Sequence, residues 1–172
     1  STTYATFYAM YFSSCDNNMI IRNNKVSSPS GGGGMYFTGC EGAAGLPINV
    51  YNNFIHAGGA ATCYGMYFTT STDMNIWHNS IHVTGTAAIS RCFNATGAGV
   101  IKLAVQNNVL ANTGGGQTFY IVTAALPGLS VSNYNNLYST GANIAFWDAA
   151  LVPTLADWKI ASGKDANSVS AN

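Results

Sequence analysis

Carboxylates are scarce in this chain, so those that recur at similar places are its first candidates for chemistry. The chain of 172 residues holds 6 Asp and Glu residues in all. Asp16 and Glu41 each lie five residues past the tyrosine of a Met-Tyr-Phe phrase, and Asp73 lies six past. Carboxylates brought to one corner can bind Ca²⁺ or act as an acid/base pair on a glycosidic bond. These three residues are therefore a candidate calcium site, with a catalytic pair and a solvated turn as the alternatives.

Aromatic and polar side chains recur in two further sets of positions. The first is a tyrosine set that Cys92 interrupts, and its members are Tyr11, Tyr36, Tyr67 and Tyr120. The second is a mixed set, and its members are Arg22, Tyr51, Trp77, Gln106 and Tyr134. Tyr and Trp offer an apolar ring face and a polar tip, which suits a sugar ring or another protein. We expect ligand binding, with mutual packing that stabilises a sheet as the alternative. The candidate ligand-binding residues are Tyr11, Tyr36, Tyr67, Arg22, Tyr51, Trp77, Gln106 and Tyr134.

Two recurring phrases align these candidates. A hydrophobic-x-Asn-Asn-x-hydrophobic phrase recurs at intervals of 29, 26, 29 and 28 residues, placing Asn24, Asn53, Asn79, Asn108 and Asn136 in equivalent positions. The Gly-Met-Tyr-Phe phrase interleaves with it, and Gly-rich turns separate the two. A fixed period of this size indicates a repeat architecture, and alternation within each phrase indicates half-buried strands. We predict an all-β, single-stranded parallel β-helix of about five to six coils over residues 1–152.

The alternation of residues within each phrase predicts which side chains face the interior of the coils. The residues expected to point inward are Met10, Phe12, Met19, Ile21, Met35, Phe37, Ile48, Val50, Met66, Phe68, Met74, Ile76, Phe93, Leu103, Val105 and Val131. The five aligned asparagines are expected at a bend, where Asn tolerates left-handed φ and its amide can bond to the neighbouring coil. We therefore assign these asparagines to support of the turn and not to ligand binding.

Residues 153–172 differ in kind from the coils. Thr154 and Asp157 have the spacing of a capping box, and Gly163 is placed to end a helix. Leu155, Trp158 and Ile160 are expected to form its apolar stripe. We predict a short C-terminal helix that caps the last coil within the same domain, because an open β-helix end invites pairing with other strands.

Cysteine and histidine pairs fall on neighbouring coils in this alignment. Cys15 and Cys40 each follow a phrase tyrosine by four residues. A strand spacing of about 4.8 Å lies within the disulfide range of about 4.4–6.8 Å, so a disulfide and a reduced pair are both open. His56 and His82 each follow an aligned asparagine by three residues and should stack as part of a polar turn, without recognisable metal-ligand spacing.

The repeated phrases resemble those of right-handed parallel β-helix domains in large secreted or cell-surface proteins of the Bacteroidetes type. The tail from Leu155 to Ser168 also resembles the segment that closes such domains. The resemblance covers nearly the whole chain and implies the fold and a secreted or cell-surface location. It implies no single activity, because β-helices host lyases, hydrolases, adhesins and binding modules alike.

Composition narrows the classes of partner. Charged residues are 7% of the chain and the formal net charge is zero, against a typical charged fraction of about 25%. A nucleic-acid partner is therefore not expected. No run approaches the roughly 20 apolar residues that a membrane span needs. A surface of Gly, Asn, Ser, Thr and Tyr suits an extracellular protein that contacts neutral partners.

Together these features favour a non-catalytic extracellular module for carbohydrate binding or adhesion. Its expected partner is a polysaccharide or a cell-surface glycan. No cofactor is expected, with calcium as the one candidate ion. One alternative is a polysaccharide lyase or glycoside hydrolase, although the scattered Lys25, Lys102, Arg22 and Arg91 form no evident catalytic set. The other is a structural spacer or filament subunit that associates coil on coil.

Overall fold

Short parallel strands wind into a β-solenoid in the computed structural model, which describes residues 7–172. The ten strands of the larger sheet are β1 Tyr8–Ser13, β2 Ile20–Arg22, β4 Gly32–Glu41, β5 Ile48–Tyr51, β7 Cys63–Trp77, β9 Arg91–Gln106, β11 Gln117–Val122, β12 Leu129–Asn133, β14 Ala145–Asp148 and β15 Ala150–Val152. The five strands of the smaller sheet are β3 Lys25–Ser28, β6 Phe54–Ala57, β8 Ser80–Val83, β10 Val109–Asn112 and β13 Asn136–Ser139. Each coil contributes one strand to the smaller sheet, so the solenoid has about five turns and confirms the predicted fold class.

The larger sheet has two arms, because its longest strands bend. Asp73 in β7 and Lys102 in β9 have left-handed backbone, with φ of 48° and 55°. Before the bend, β7 pairs with β4, and after it β7 pairs with β5. Likewise β9 pairs with β11 before its bend and with β12 after it. The first arm, the second arm and the smaller sheet therefore present separate outward surfaces.

The recurring glycines of the Gly-Met-Tyr-Phe phrase let the first arm approach the smaller sheet. A Cβ on Gly34 would lie 2.3 Å from Cγ2 of Ile55, and one on Gly65 would lie 2.3 Å from Cγ2 of Ile81. Such contacts are far inside van der Waals distance, so a larger residue would force the two sheets apart. The phrase therefore needs glycine for close packing and not for phosphate binding.

Aromatic rings form a continuous series of contacts along the core, stacked in four pairs and edge-to-face between Phe93 and Phe119. Their centroids are 4.9, 4.9, 4.7, 5.3 and 5.1 Å apart along the series Phe12, Phe37, Phe68, Phe93, Phe119 and Trp158. Parity predicted most of this interior correctly, but not Val131, which is 44% exposed. A register shift in β12 places Leu129 opposite Leu103 instead, and Leu129 is buried.

The asparagine ladder lies inside the corner between the second arm and the smaller sheet. Its members are Asn24, Asn53, Asn79, Asn108 and Asn135. The last residue corrects the prediction of Asn136, which instead pairs with Val109 one position further along. In every step the backbone N–H and the Nδ2 of one asparagine both donate to the Oδ1 of the next, at 2.8–3.2 Å.

The predicted left-handed φ falls one residue before each ladder asparagine. The residues concerned are Asn23, Asn52, His78, Asn107 and Tyr134, with φ between 53° and 59°. The ladder asparagine itself follows the bend and turns its amide inward. Corner geometry and hydrogen bonding are thus divided between two adjacent residues, which explains the double asparagine of the phrase.

The C-terminal segment ends the ladder and covers the last coil. Helix α1 spans Leu155–Ser162, with the predicted capping box of Thr154 and Asp157 at its start and Gly163 in left-handed conformation at its end. Asp165 accepts hydrogen bonds from Nε1 of Trp158 at 2.8 Å and from Nδ2 of Asn135 at 2.9 Å. The predicted apolar stripe is wrong at Ile160, which is 83% exposed, whereas Trp158 is buried and Leu155 packs against the core.

Candidate functional site

The outward side of the second arm carries a row of mixed side chains, which we call the amide–aromatic row. It consists of Arg22, Tyr51, Trp77, Gln106 and Asn133, which pair in register from strand to strand. At about 4.8 Å per step, the row is about 19 Å long. Four of its members are the predicted ligand-binding residues Arg22, Tyr51, Trp77 and Gln106, so the structure brings these four together.

Tyr134 does not belong to this row. It lies one residue past Asn133, at the left-handed corner with φ of 57°, and is 56% exposed. The prediction failed because the last phrase was aligned on Asn136 in place of Asn135. A single-residue error in alignment therefore moved both the final ladder position and the final position of the row.

The amide–aromatic row combines ring surface with amide and guanidinium groups. Nη1 of Arg22 donates to the Tyr51 hydroxyl at 3.2 Å, and its guanidinium lies 5.9 Å from the ring centroid. Nε1 of Trp77 is buried and has no hydrogen-bond partner. Beside the row, Nδ2 of Asn75 donates to Oδ1 of Asn49 at 3.0 Å. The surface thus offers two rings flanked by polar groups on neighbouring rungs.

A polar cleft of about 210 Å³ lies at the C-terminal end of this row. Gln106, Asn133 and Ser132 line it from the sheet, and Lys164 lines it from the cap segment. Nζ of Lys164 donates to the backbone oxygen of Ser130 at 3.2 Å, which holds the amine at the edge of the cleft. Sequence reasoning missed this cleft, because only the fold brings the cap segment against the last coil.

The outward side of the first arm carries a second row, which we call the tyrosine row. It consists of Tyr11, Tyr36, Tyr67, Asn94, Tyr120 and Phe146 in register. Asn94 interrupts the tyrosines, and not Cys92 as predicted. Phe93 pairs in register with Met66 and not with Phe68, which moves the position in the row from Cys92 to Asn94. Burial also raises the pKa of the Cys92 thiol.

Mutual packing covers most of the tyrosine row. Ring centroids are 5.1 Å apart both between Tyr11 and Tyr36 and between Tyr36 and Tyr67. The Tyr36 hydroxyl hydrogen bonds with Thr69, and Thr96 donates to the Tyr67 hydroxyl, each at 3.1 Å. These rings cover each other and their hydroxyls are occupied. The packing alternative therefore describes Tyr36 and Tyr67 better than ligand stacking does.

The acidic corner does not assemble as predicted. Asp16 and Glu41 pair as neighbouring rungs, but Glu41 aligns with Thr72, so Asp73 lies one residue beyond the series. Asp73 instead forms an ion pair with Lys102 at 3.5 Å. Within residues 7–172, no group of three or more His, Cys, Asp or Glu side chains is placed to hold a metal ion. The charges of the two bend residues, Asp73 and Lys102, thus neutralise each other across two coils.

The cysteine and histidine pairs lie on neighbouring coils, as expected. The Glu41 N–H donates to the Cys15 oxygen at 2.8 Å, which fixes this register, and Cys15 and Cys40 are both free thiols. Burial raises the pKa of the Cys40 thiol. The rings of His56 and His82 have centroids 5.7 Å apart and are tilted by 41°, so they lie next to each other but are not parallel.

Each histidine of this pair is held by a threonine from the next coil. Nε2 of His56 lies 3.0 Å from Oγ1 of Thr84, and Nε2 of His82 lies 2.9 Å from Oγ1 of Thr113. Burial is the main cause that lowers the pKa of His82, and the nearby His56 lowers it further. Both Nε2 atoms thus already have a hydrogen-bond partner. We therefore regard the pair as a structural feature of the smaller sheet.

None of the helices in residues 7–172 is long and apolar enough to cross a membrane. No protein-family model matches the chain, and comparisons with curated proteins and with solved structures likewise found no match.

Proposed function

We propose that this solenoid is a non-catalytic extracellular module that binds polysaccharide or cell-surface glycan through the amide–aromatic row. The observation that carries the proposal is the alignment of Tyr51 and Trp77 with Gln106 and Asn133 on successive rungs, leading into a polar cleft. Rings can stack on the apolar face of a sugar, while amides can donate to and accept from its hydroxyls.

The chemistry of this surface suits a glycan better than an apolar protein partner. The cleft at its end is lined by Gln106, Ser130, Ser132, Asn133 and Lys164 among other residues, so its donors and acceptors are abundant. Successive rungs are about 4.8 Å apart, which lets consecutive sugars of an extended chain meet consecutive coils. A secreted or cell-surface protein of the Bacteroidetes type, larger than this domain, is the setting that we propose for it.

The test is direct binding to a panel of soluble polysaccharides by affinity electrophoresis and calorimetry, followed by substitution. Trp77→Ala and Tyr51→Ala should each weaken binding by about tenfold, because loss of one ring removes its buried area and an aromatic contact that contributes about 0.5–1.5 kcal/mol beyond that area. Tyr138→Ala is the matched control, since Tyr138 lies in the smaller sheet beside Ala111 and away from the row. Unfolding temperatures verify that each variant folds.

Binding that survives both substitutions would overturn the assignment to the amide–aromatic row. Absence of binding to any glycan in the panel would overturn the proposed function itself. The same preparations, incubated with mixed polysaccharides, test the enzymatic alternative through release of reducing ends or unsaturated products. Release of such products would show an enzymatic role in place of the proposed non-catalytic one.

The first coil favours self-association as a second candidate function. A cleft of about 450 Å³ is lined by Met10, Phe12, Met19, Ile20, Ile21, Arg22 and Asn24. Ile20 is 54% exposed, and core residues of the first coil are only partly covered in the described part of the chain. Stacking onto another coil would bury them. Concentration-dependent light scattering that Ile20→Glu abolishes would support this role, and a monomer at all concentrations would exclude it.

A further inference from the structure

Arg91 lies in a notch of the tyrosine row that the sequence did not single out. It begins β9 and pairs in register with Tyr64 on one side and Gln117 on the other. Asn94 is shorter than the tyrosines that precede and follow it in the row, and the guanidinium occupies the space this leaves. Cζ of Arg91 lies 3.5 Å from the ring centroid of Tyr120 and 5.9 Å from that of Tyr64.

This guanidinium is partly buried without a counter-charge. The only ion pair within residues 7–172 joins Lys102 to Asp73, so no carboxylate of the described chain neutralises Arg91. Its Nη1 donates to Oδ1 of Asn94 at 3.2 Å, which is a neutral acceptor. Burial lowers the pKa of Arg91, because the charged form loses hydration that no anion replaces.

Unused donors lie in the same notch. Nε of Arg91 and Nδ2 of Asn94 are both buried without a hydrogen-bond partner, and so is Oε1 of the neighbouring Gln117. Asn94 is 1% exposed. A buried donor without an acceptor costs on the order of 1–3 kcal/mol, more beside a charge. The notch therefore holds a positive charge, buried donors without partners and aromatic walls.

We propose that the Arg91 notch binds the anionic group of an acidic sugar, a carboxylate or a sulfate ester. This inference rests on the proposed function and narrows its ligand class to acidic glycans. A guanidinium presents a planar fork that oxyanions accept in bidentate fashion, and stacking on Tyr120 holds that fork in place. Tyr64 and Tyr120 flank the charge and are positioned to contact the ring that carries the anionic group.

The experiment compares glycans that differ only in charge. Polygalacturonate is paired with its fully methyl-esterified form, and dextran sulfate is paired with dextran, so that the arms separate carboxylate from sulfate. We expect the native protein to bind at least one charged member about tenfold more tightly than its neutral partner. Arg91→Gln should abolish this preference, and Arg91→Lys should restore only part of it, because a single ammonium cannot form the bidentate contact.

Lys102→Gln is the matched control, since it removes one positive charge from the same strand outside the notch. Equal loss of preference in Lys102→Gln and Arg91→Gln would overturn the proposal in favour of net charge. So would unchanged preference in a folded Arg91→Gln, which would leave Arg91 as packing that a bridging water satisfies. If the native protein binds neutral glycans and shows no preference for acidic ones, the proposed anion site at Arg91 is wrong but the proposed function stands. Absence of all glycan binding would reject both.

Discussion

The asparagine ladder and the amide–aromatic row lie two residues apart in every coil, yet they follow opposite rules. The ladder repeats one residue type from Asn24 to Asn135, whereas the row carries a different residue type on each rung from Arg22 to Asn133. Inside the corner, one side chain must accept two hydrogen bonds from one coil and donate to its neighbours. Outside it, no such requirement exists. The difference teaches that specific function should be sought where the repeat varies.

The largest expected effect comes from breaking the middle of the ladder. Asn79→Ala leaves Nδ2 of Asn53, the Val50 oxygen and Oδ1 of Asn108 with fewer buried partners, so it should reduce the free energy of unfolding by about 3–5 kcal/mol. Asn24→Ala is the matched comparison at the partly exposed first rung and should reduce the free energy of unfolding by about 1 kcal/mol. Urea denaturation measures both, and equal losses would contradict the burial argument.

The next effect concerns how the ladder ends. Asp165 is buried and joins Trp158, Ser168 and Asn135, so Asp165→Ala should destabilise the protein by about 2–3 kcal/mol. Asp157→Ala removes a carboxylate from the exposed capping box and should cost only about 1 kcal/mol. Thermal unfolding of the two variants distinguishes closure of the ladder from simple helix capping. A larger loss for Asp157→Ala would reverse this assignment.

A smaller effect, of opposite sign, sharpens the boundary of the row. Tyr134 has φ of 57°, which is unfavourable for a bulky residue, so Tyr134→Asn should stabilise the fold by up to about 1 kcal/mol. Glycan affinity should not change, because Tyr134 lies outside the amide–aromatic row. Thermal unfolding and calorimetry together provide the test. A clear loss of affinity would return Tyr134 to the binding surface.

The smallest expected effect is the dependence of stability on pH. His82 has a lowered pKa in the folded protein, so the unfolded chain binds its proton more readily than the folded one. Stability should be full above pH about 6.5, the ordinary histidine pKa, and should fall modestly as the pH drops below it. His82→Gln should flatten this part of the profile measured by thermal unfolding. An unaltered slope would assign the pH dependence to other groups.

Much of the fold was predictable from local pattern. Alternation placed Met35, Phe37, Ile48 and Val50 inward, and all four are fully buried. The capping box and its glycine located α1 correctly. These features depend on neighbouring residues of one segment, which the order of residues records directly. The candidate rows were also largely predictable, since seven of the eight proposed ligand-binding residues occupy the two rows.

The misplacements within the strands involve register between coils. The pairing of Phe93 with Met66, and the register shift between Leu129 and Val131, each moved a column by one position. Register of this kind is set by how one coil rests on the next. Alternation within a strand carries no record of it, so Asn94 and Asn135 were found only in the structure.

The sequence by itself therefore determined the repeat, its strands and the residues that fill the core, because hydrophobic alternation and amide hydrogen bonding act within each short segment. Only the tertiary structure decided which outward groups meet. It paired Asp73 with Lys102, brought Lys164 to the end of the amide–aromatic row and laid Arg91 on Tyr120. These contacts join residues far apart in the chain, and their geometry follows from coil-to-coil register and from the cap that closes the last coil.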